Sequence, residues 1–357
     1  MTRTRRVLAA IALALVCLPL SGCSTLGFYA QAVRGHLDLM ARARPIAEVI
    51  DNPATSPRLK AQLALALEIR NFAARELDLP DNDSYRWFAD LERPFVVWNV
   101  FAAPEFSLEP RRWCFPFAGC VAYRGYFAQA AAERTGAHLR EQGYQAYVGG
   151  VPAYSTLGWF ADPVLNTFVG YPQYELARLI FHELAHQRFY LAGDTMFNES
   201  FAVAVEREGV RRWLTARGSP ETIAGFERAQ ARRESFLKLL LEHRAALAAL
   251  YRSGLEPPEM RARRAVLRDE LRQRYAGFRL AWAEADQPFA GFDRWFGDGP
   301  ENAQLAMVAL YGDYVPAFEA LLAQQGGELR RFHEAVQALA ALPEAQRRER
   351  LRALSPH

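Results

Sequence analysis

Residues 175–190, ELARLIFHELAHQRFY, constrain this chain more than any other stretch. The segment has no glycine or proline, and Leu176, Leu179, Ile180, Leu184 and Phe189 recur at helical spacing. That pattern specifies a helix with one apolar stripe. His182 and His186 stand at i and i+4, so they project from one side of the helix about one turn apart, as two imidazoles sharing a zinc ion must. Glu183 follows the first histidine, where a carboxylate can take a proton from a water on the metal.

Catalytic zinc takes three protein ligands and keeps a fourth position open. Asp194, Glu199 and Glu206 follow His186 by eight, thirteen and twenty residues and are the candidates for the third. Position 192 is alanine, which excludes the histidine that metzincins place there. Asp194, in Ala192-Gly193-Asp194-Thr195, reads as a loop or helix N-cap. Glu199 opens a second helical pattern, 198–206, and Glu206 lies two turns further along the same face. Glu206 has the spacing of thermolysin-like enzymes, and also suits a partner for a ligand histidine or a solvated charge beside Arg207 or Arg211.

HELAH followed by Asn198-Glu199-Ser200-Phe201-Ala202 resembles the gluzincin pattern, in which HExxH is completed by a glutamate in an NE-x-FA segment. More closely, the chain resembles a family of bacterial lipoproteins described as zinc aminopeptidases. The similarity also runs through WCFPFAGCVAYRGYF, YSTLGWFADP and ENAQLA with YGDYVPAF. The resemblance implies one Zn²⁺ per chain held by His182, His186 and Glu199, with Glu183 as general base. The gap between HExxH and Glu199 is twelve residues, shorter than in familiar gluzincins. Gluzincins often stabilise the oxyanion with a tyrosine, for which Tyr311, Tyr314 and Tyr154 are candidates.

The amino terminus carries Arg3, Arg5 and Arg6, then the fourteen-residue apolar run 7–20, too short to span a bilayer but suited to a signal peptide. It ends Leu20-Ser21-Gly22-Cys23, which resembles a lipobox with Cys23 as the acylated residue. Ser24 resembles the sorting signal for the outer membrane. The expectation is a leader over 1–22 and a lipoprotein in the bacterial envelope, anchored in the outer membrane and facing the periplasm. Loss of the three arginines takes the formal charge from +3 to about 0. A neutral chain without a nucleic-acid motif has no field to gather DNA or RNA. In an oxidising periplasm, Cys114 and Cys120 read as a disulfide around a short loop.

Residues 23–357 read as a single α+β domain, predominantly helical and zincin-like. Residues 26–79 are expected to be helical, with a first segment to about 50, a turn at Asn52-Pro53 and a second helix from 57. The region 80–156 carries strand-like runs at 95–101, 120–123 and 145–151, with a helix over 127–142. The metal-site helices occupy 171–215. A long charged helical hairpin, 220–251 and 258–284, lies within 220–285, and C-terminal helices fill 300–345. The hairpin's Arg and Glu residues suit a solvated face of i,i+4 pairs, or less readily a partner or membrane surface.

The function expected is a membrane-anchored zinc peptidase acting on a peptide substrate, an aminopeptidase by resemblance. Segment 147–155 is either an edge strand on which that peptide pairs or an ordinary core strand. An aminopeptidase needs a carboxylate for the substrate's α-amine, and Asp162, Glu105 and Glu175 are available, although Asp162 better suits a turn before Pro163. A zinc endopeptidase or cell-wall amidohydrolase would use the same centre, and an envelope scaffold protein would keep the zinc for structure alone.

Overall fold

A computed structural model describes residues 27–115, 119–285, 291–308 and 314–355. The expected leader over 1–22, the lipidation site Cys23 and the candidate Tyr311 lie outside the described residues.

Helices dominate, and small sheets fill the amino-terminal half. Helix α1 covers 27–42. The expected single segment to about residue 50 is instead cut after α1, because Pro45 cannot donate to a helical turn and its neighbour Arg44 is pushed to extended backbone. These two residues form strand β1 (Arg44–Pro45), and α2 (Ile46–Asp51) and α3 (Pro57–Glu76) follow. Strands β2 (Trp87–Ala89) and β8 (Val164–Leu165) join β1 in a short sheet of order β1-β2-β8.

The larger sheet is antiparallel, with β3 (Val97–Pro104) between β6 (Arg124–Tyr126) and β7 (Tyr144–Val151). Along β3, Trp98, Val100 and Ala102 share one face and pack with Tyr126, Ala132, Leu139 and Ala146 beneath α4 (Gln129–Glu141). This is the period-2 alternation of a strand with a covered face. Strand β7 lies at the edge of the sheet order, but it ends at Val151, short of Ser155. Strands β4 (Trp113–Phe115) and β5 (Gly119–Val121) form a two-stranded ribbon in which Cys114 faces Cys120 across a disulfide.

Helices α5 (Gln173–Arg188) and α6 (Thr195–Arg217) run through the largest apolar cluster. Phe181, Phe197, Phe201 and Trp213 are all at most 1% exposed there, beside Phe72 of α3. Burying each large side chain contributes on the order of 2 kcal/mol. Gly209 lets the two helices approach, since a Cβ there would fall 2.7 Å from the Phe181 ring. Helices α11 (Val315–Gln324), α12 (Leu329–Ala340) and α13 (Glu344–Leu354) close this side, with Phe318 5.0 Å from the Phe197 ring and Phe332 6.0 Å from Phe201.

Helices α7 (Pro220–Tyr251) and α8 (Pro257–Ala285) form the expected hairpin. Ser219 caps α7 through the Thr222 amide, with Pro220 at the first helical position. Both devices promote helix initiation. A second cluster of Phe236, Leu240, Leu271, Tyr275 and Phe296 packs the hairpin onto α9 (Asp293–Phe296) and α10 (Asn302–Val308).

Candidate metal centre

The connection between α5 and α6 sets the site. Helix α5 ends where Phe189 turns to extended backbone (φ −154°, ψ 134°), and the chain reverses through Gly193 at φ +84°. Asp194 caps α6 by accepting from the Phe197 amide and pairs with Arg347 at 2.9 Å, so it is a structural cap and not part of the cluster. Asn198 does the rest. Its side chain accepts from the Leu191 amide and donates to the Leu191 carbonyl, both at 2.8 Å, and fastens the reversal to the first turn of α6. Glu199 is the next residue, so this clamp determines where its carboxylate stands. The β4–β5 ribbon backs the same turn: Arg112 donates to the Cys120 and Gly193 carbonyls.

His182, His186 and Glu199 bring one ligand atom each within 4.8 Å of one another, a group able to hold a metal ion. The His182 and His186 Nε2 atoms are 3.1 Å apart. Glu199 oxygens lie 3.3 Å from His182 Nε2 and 3.7 Å from His186 Nε2. Tetrahedral zinc with bonds near 2.0–2.1 Å separates its ligand atoms by about 3.3 Å, so the three spacings match. The donor set, two imidazoles and a carboxylate, leaves one position of a tetrahedron open. Side-chain exposure of 15% at both His182 and Glu199 keeps the group reachable.

Glu206 lies on the far side of the His182 ring, 2.9 Å from Nδ1. Burial opposes its ionisation, but the Arg178 guanidinium and His182 outweigh that and hold the carboxyl below its usual range. An ionised carboxylate only accepts, so His182 Nδ1–H donates to it and Nε2 is left to face the metal position. Arg178 contacts Glu206 at 3.3 Å and Glu175 at 2.9 Å, and Arg233 of α7 reaches Glu175 at 2.8 Å. Between the two glutamates, the cluster takes Glu199 and the histidine's second nitrogen takes Glu206. His186 differs, since its Nδ1 is buried without a hydrogen-bond partner.

Glu183 is driven up to about 7, chiefly by burial, with the Glu199, Asp162 and Glu206 charges adding to it and His182 opposing. A carboxyl poised there is matched to proton transfer near neutral pH. Burial pulls His186 down to about 4. At His182 burial acts the same way, but Glu199 and Glu206 overcome it and hold the ring up at about 10.

Tyr154 packs edge-on to Phe127, 5.3 Å between centroids, and tilts towards His36; the charge it meets is Asp162. Tyr314, at the start of α11, packs against the main core. Sequence reasoning missed the tyrosines that meet the cluster: Tyr190, four residues past His186, packs 6.4 Å from the His186 ring and faces the Glu199 charge, and two more come from earlier in the chain. Tyr123, between β5 and β6, is raised by burial and then by Glu199, Tyr190 and Glu183. Tyr85, fully buried, feels Glu183 and Asp162, and its hydroxyl has no hydrogen-bond partner. Both lie roughly 60–100 residues before the motif, and nothing in local spacing marks them among fourteen tyrosines.

The three carboxylates considered for amine capture all have partners. Glu105 holds Arg261 through both oxygens at 2.7 and 2.8 Å, and Glu175 bridges Arg178 and Arg233. Asp162, 1% exposed, accepts from the Thr156 amide and hydroxyl, from Ser155 and from Gln187 Nε2. It therefore ties the 155–162 loop to the end of α5, and burial raises it to about 6.

A family model described as "Putative aminopeptidase" matches residues 27–351. No curated protein and no solved structure matches the chain. Because that model covers nearly the whole sequence, metal-site helices and hairpin included, the chain belongs to the family described as putative aminopeptidases.

Proposed function

We propose that this protein is a zinc-dependent peptidase, acting as an aminopeptidase, tethered to the outer membrane through Cys23 and facing the periplasm. The observation that carries the proposal is the convergence of His182, His186 and Glu199 at the edge lengths of a zinc tetrahedron, with Glu183 on the same helix. Zinc, when bound, lowers the pKa of a water to roughly 7 and polarises a peptide carbonyl. Glu183 takes a proton from the attacking water and delivers it to the departing amine, for which its position near 7 suits both directions. Glu206 orients His182 through Nδ1. Tyr190, packed against the His186 ring, and Tyr123, which like it faces the Glu199 charge, are the hydroxyls available as donors to the developing oxyanion.

The paired state of Glu105, Asp162 and Glu175 favours a second reading: a zinc endopeptidase or cell-wall amidohydrolase with the same centre. Elemental analysis of purified wild type and Glu183→Gln, each assayed on unblocked aminoacyl-arylamides and on blocked peptides, separates them. The expected result is one zinc per chain in both proteins, with the variant about 10²–10⁴-fold slower. Turnover of unblocked substrate alone supports the aminopeptidase, and turnover of blocked peptides the second reading. Absence of zinc, or zinc without turnover, overturns the proposal.

A further inference from the structure

We infer that α1 and the 157–160 loop form one apolar face that lies on the lipid bilayer, resting on the proposal that Cys23 is acylated. Five of the eight large exposed hydrophobic side chains among the described residues belong to these two elements. Tyr29, Val33 and Leu37 follow one another at i, i+4 and i+8 along α1 and are 39%, 59% and 60% exposed. Trp159 and Phe160 are 79% and 53% exposed. The two groups meet at His36, whose ring lies 4.5 Å from Phe160.

Both elements are held rigidly. The opposite face of α1 buries Leu39, presses Gly35 against the Phe127 ring and, through Gln31, accepts from the Phe127 amide. In the loop, Leu157 and Gly158 both have positive φ (+56° and +83°). Thr156 Oγ1 binds both the amide and the carbonyl of Phe160, and Asp162 anchors the base. The exposed aromatics are thus presented by fixed backbone, the arrangement of a contact surface.

The bilayer follows as the occupant from the chain that precedes α1. Cys23 is four residues before Gly27, so an acylated Cys23 holds the start of α1 within about 14 Å of its own lipid. From Tyr29 to Leu37 the stripe runs only about 12 Å further. Trp and Tyr are side chains that settle at the headgroup boundary, and exposed Arg34, beside Val33, suits lipid phosphate. The 155–162 loop, which Asp162 ties to the end of α5, would then sit at the membrane surface.

The test uses the full acylated chain in vesicles of phosphatidylethanolamine and phosphatidylglycerol, with plain or brominated acyl chains. Trp159→Phe, subtracted from wild type, isolates one tryptophan among seven. Brominated lipid is expected to quench the Trp159 component at least twofold. Val33→Glu with Leu37→Glu is expected to abolish that quenching while hydrolysis and thermal melting stay unchanged. Mass spectrometry of the mature chain reads acylation separately. An acylated chain whose Trp159 emission is equal in both vesicles overturns the docked face and leaves the anchor standing, including when a protein partner or peptide shields Trp159 instead. An unacylated chain overturns both.

Discussion

The α5–α6 pair and the α7–α8 hairpin are both long consecutive helices joined by a short connection and both pack an apolar core, yet only the first also gathers a cluster of ionisable side chains. Between α5 and α6 lie Arg178, His182, Glu183, His186, Glu199 and Glu206, with Glu206 only 6% exposed. The hairpin turns its charges outward, as in the Glu242–Arg274 and Glu259–Arg263 pairs, and buries a stack of Phe236, Phe292, Tyr275 and Phe296. Desolvating an ion costs several kcal/mol unless partners recover it, so six ionisable groups gathered on one helix pair are a cost that the apolar packing of Phe181, Phe197, Phe201 and Trp213 around them offsets. Apart from Tyr275, the hairpin's buried ionisable side chain among the described residues is His243. The two regions touch through Arg233, which donates from α7 to Glu175 at the end of the site's charge chain.

This division is easiest to break at the ligands. Glu199→Ala should reduce bound zinc to background by elemental analysis and abolish hydrolysis, with intact helical circular dichroism. Retained stoichiometric zinc would remove Glu199 from the ligand set. On the hairpin, Phe236→Ala should lower stability by about 3–5 kcal/mol in denaturant titration while leaving kcat/KM near wild type. A proportional loss of kcat/KM in folded protein would mean that the hairpin shapes the cleft.

Smaller effects sharpen the boundary. Glu206→Gln should weaken zinc affinity by about 10–100-fold in competition with a chelator, because the acceptor that orients the His182 ring loses its negative charge. An unchanged affinity would make Glu206 a partner of Arg178 alone. In the hairpin, burial and then Arg274 hold His243 down at about 4, below the 6.5 of an exposed imidazole. The folded state therefore binds fewer protons than the unfolded chain, and the stability present above about 6.5 is lost as pH falls towards 4. His243→Leu should flatten that part of the melting-temperature profile between pH 7 and 4, and an identical slope would place the acid sensitivity elsewhere.

Much of the site was legible because it is local. The i,i+4 histidines and Glu183 need only a helix, and the Gly- and Pro-free stretch around them specifies one. Glu199 and Glu206 were both readable as candidates, being two turns apart on one face. Their separate positions, one in the cluster and one on His182 Nδ1, depend on how α6 packs across α5. Asn198 was legible as part of a motif, but its clamp on Leu191 was not. The break at Pro45 was missed because the apolar pattern continues on both sides of it.

By itself, the sequence determined the elements: helical periods, serine and aspartate caps, the proline and glycine punctuation, and the residue types of a group able to hold a metal ion. Those are interactions between neighbours along the chain, and their geometry is set by backbone repeats. Only the tertiary structure decided which carboxylate joins the histidines, that Tyr123 from the sheet region meets the Glu199 charge, and that Asp162 ties its loop to α5. Such pairings join residues 17 to more than 70 positions apart, as with His182 and Glu199 or Ser84 and Asp162. No periodicity encodes them; the packing of Gly209 against Phe181 and the Asn198 clamp do.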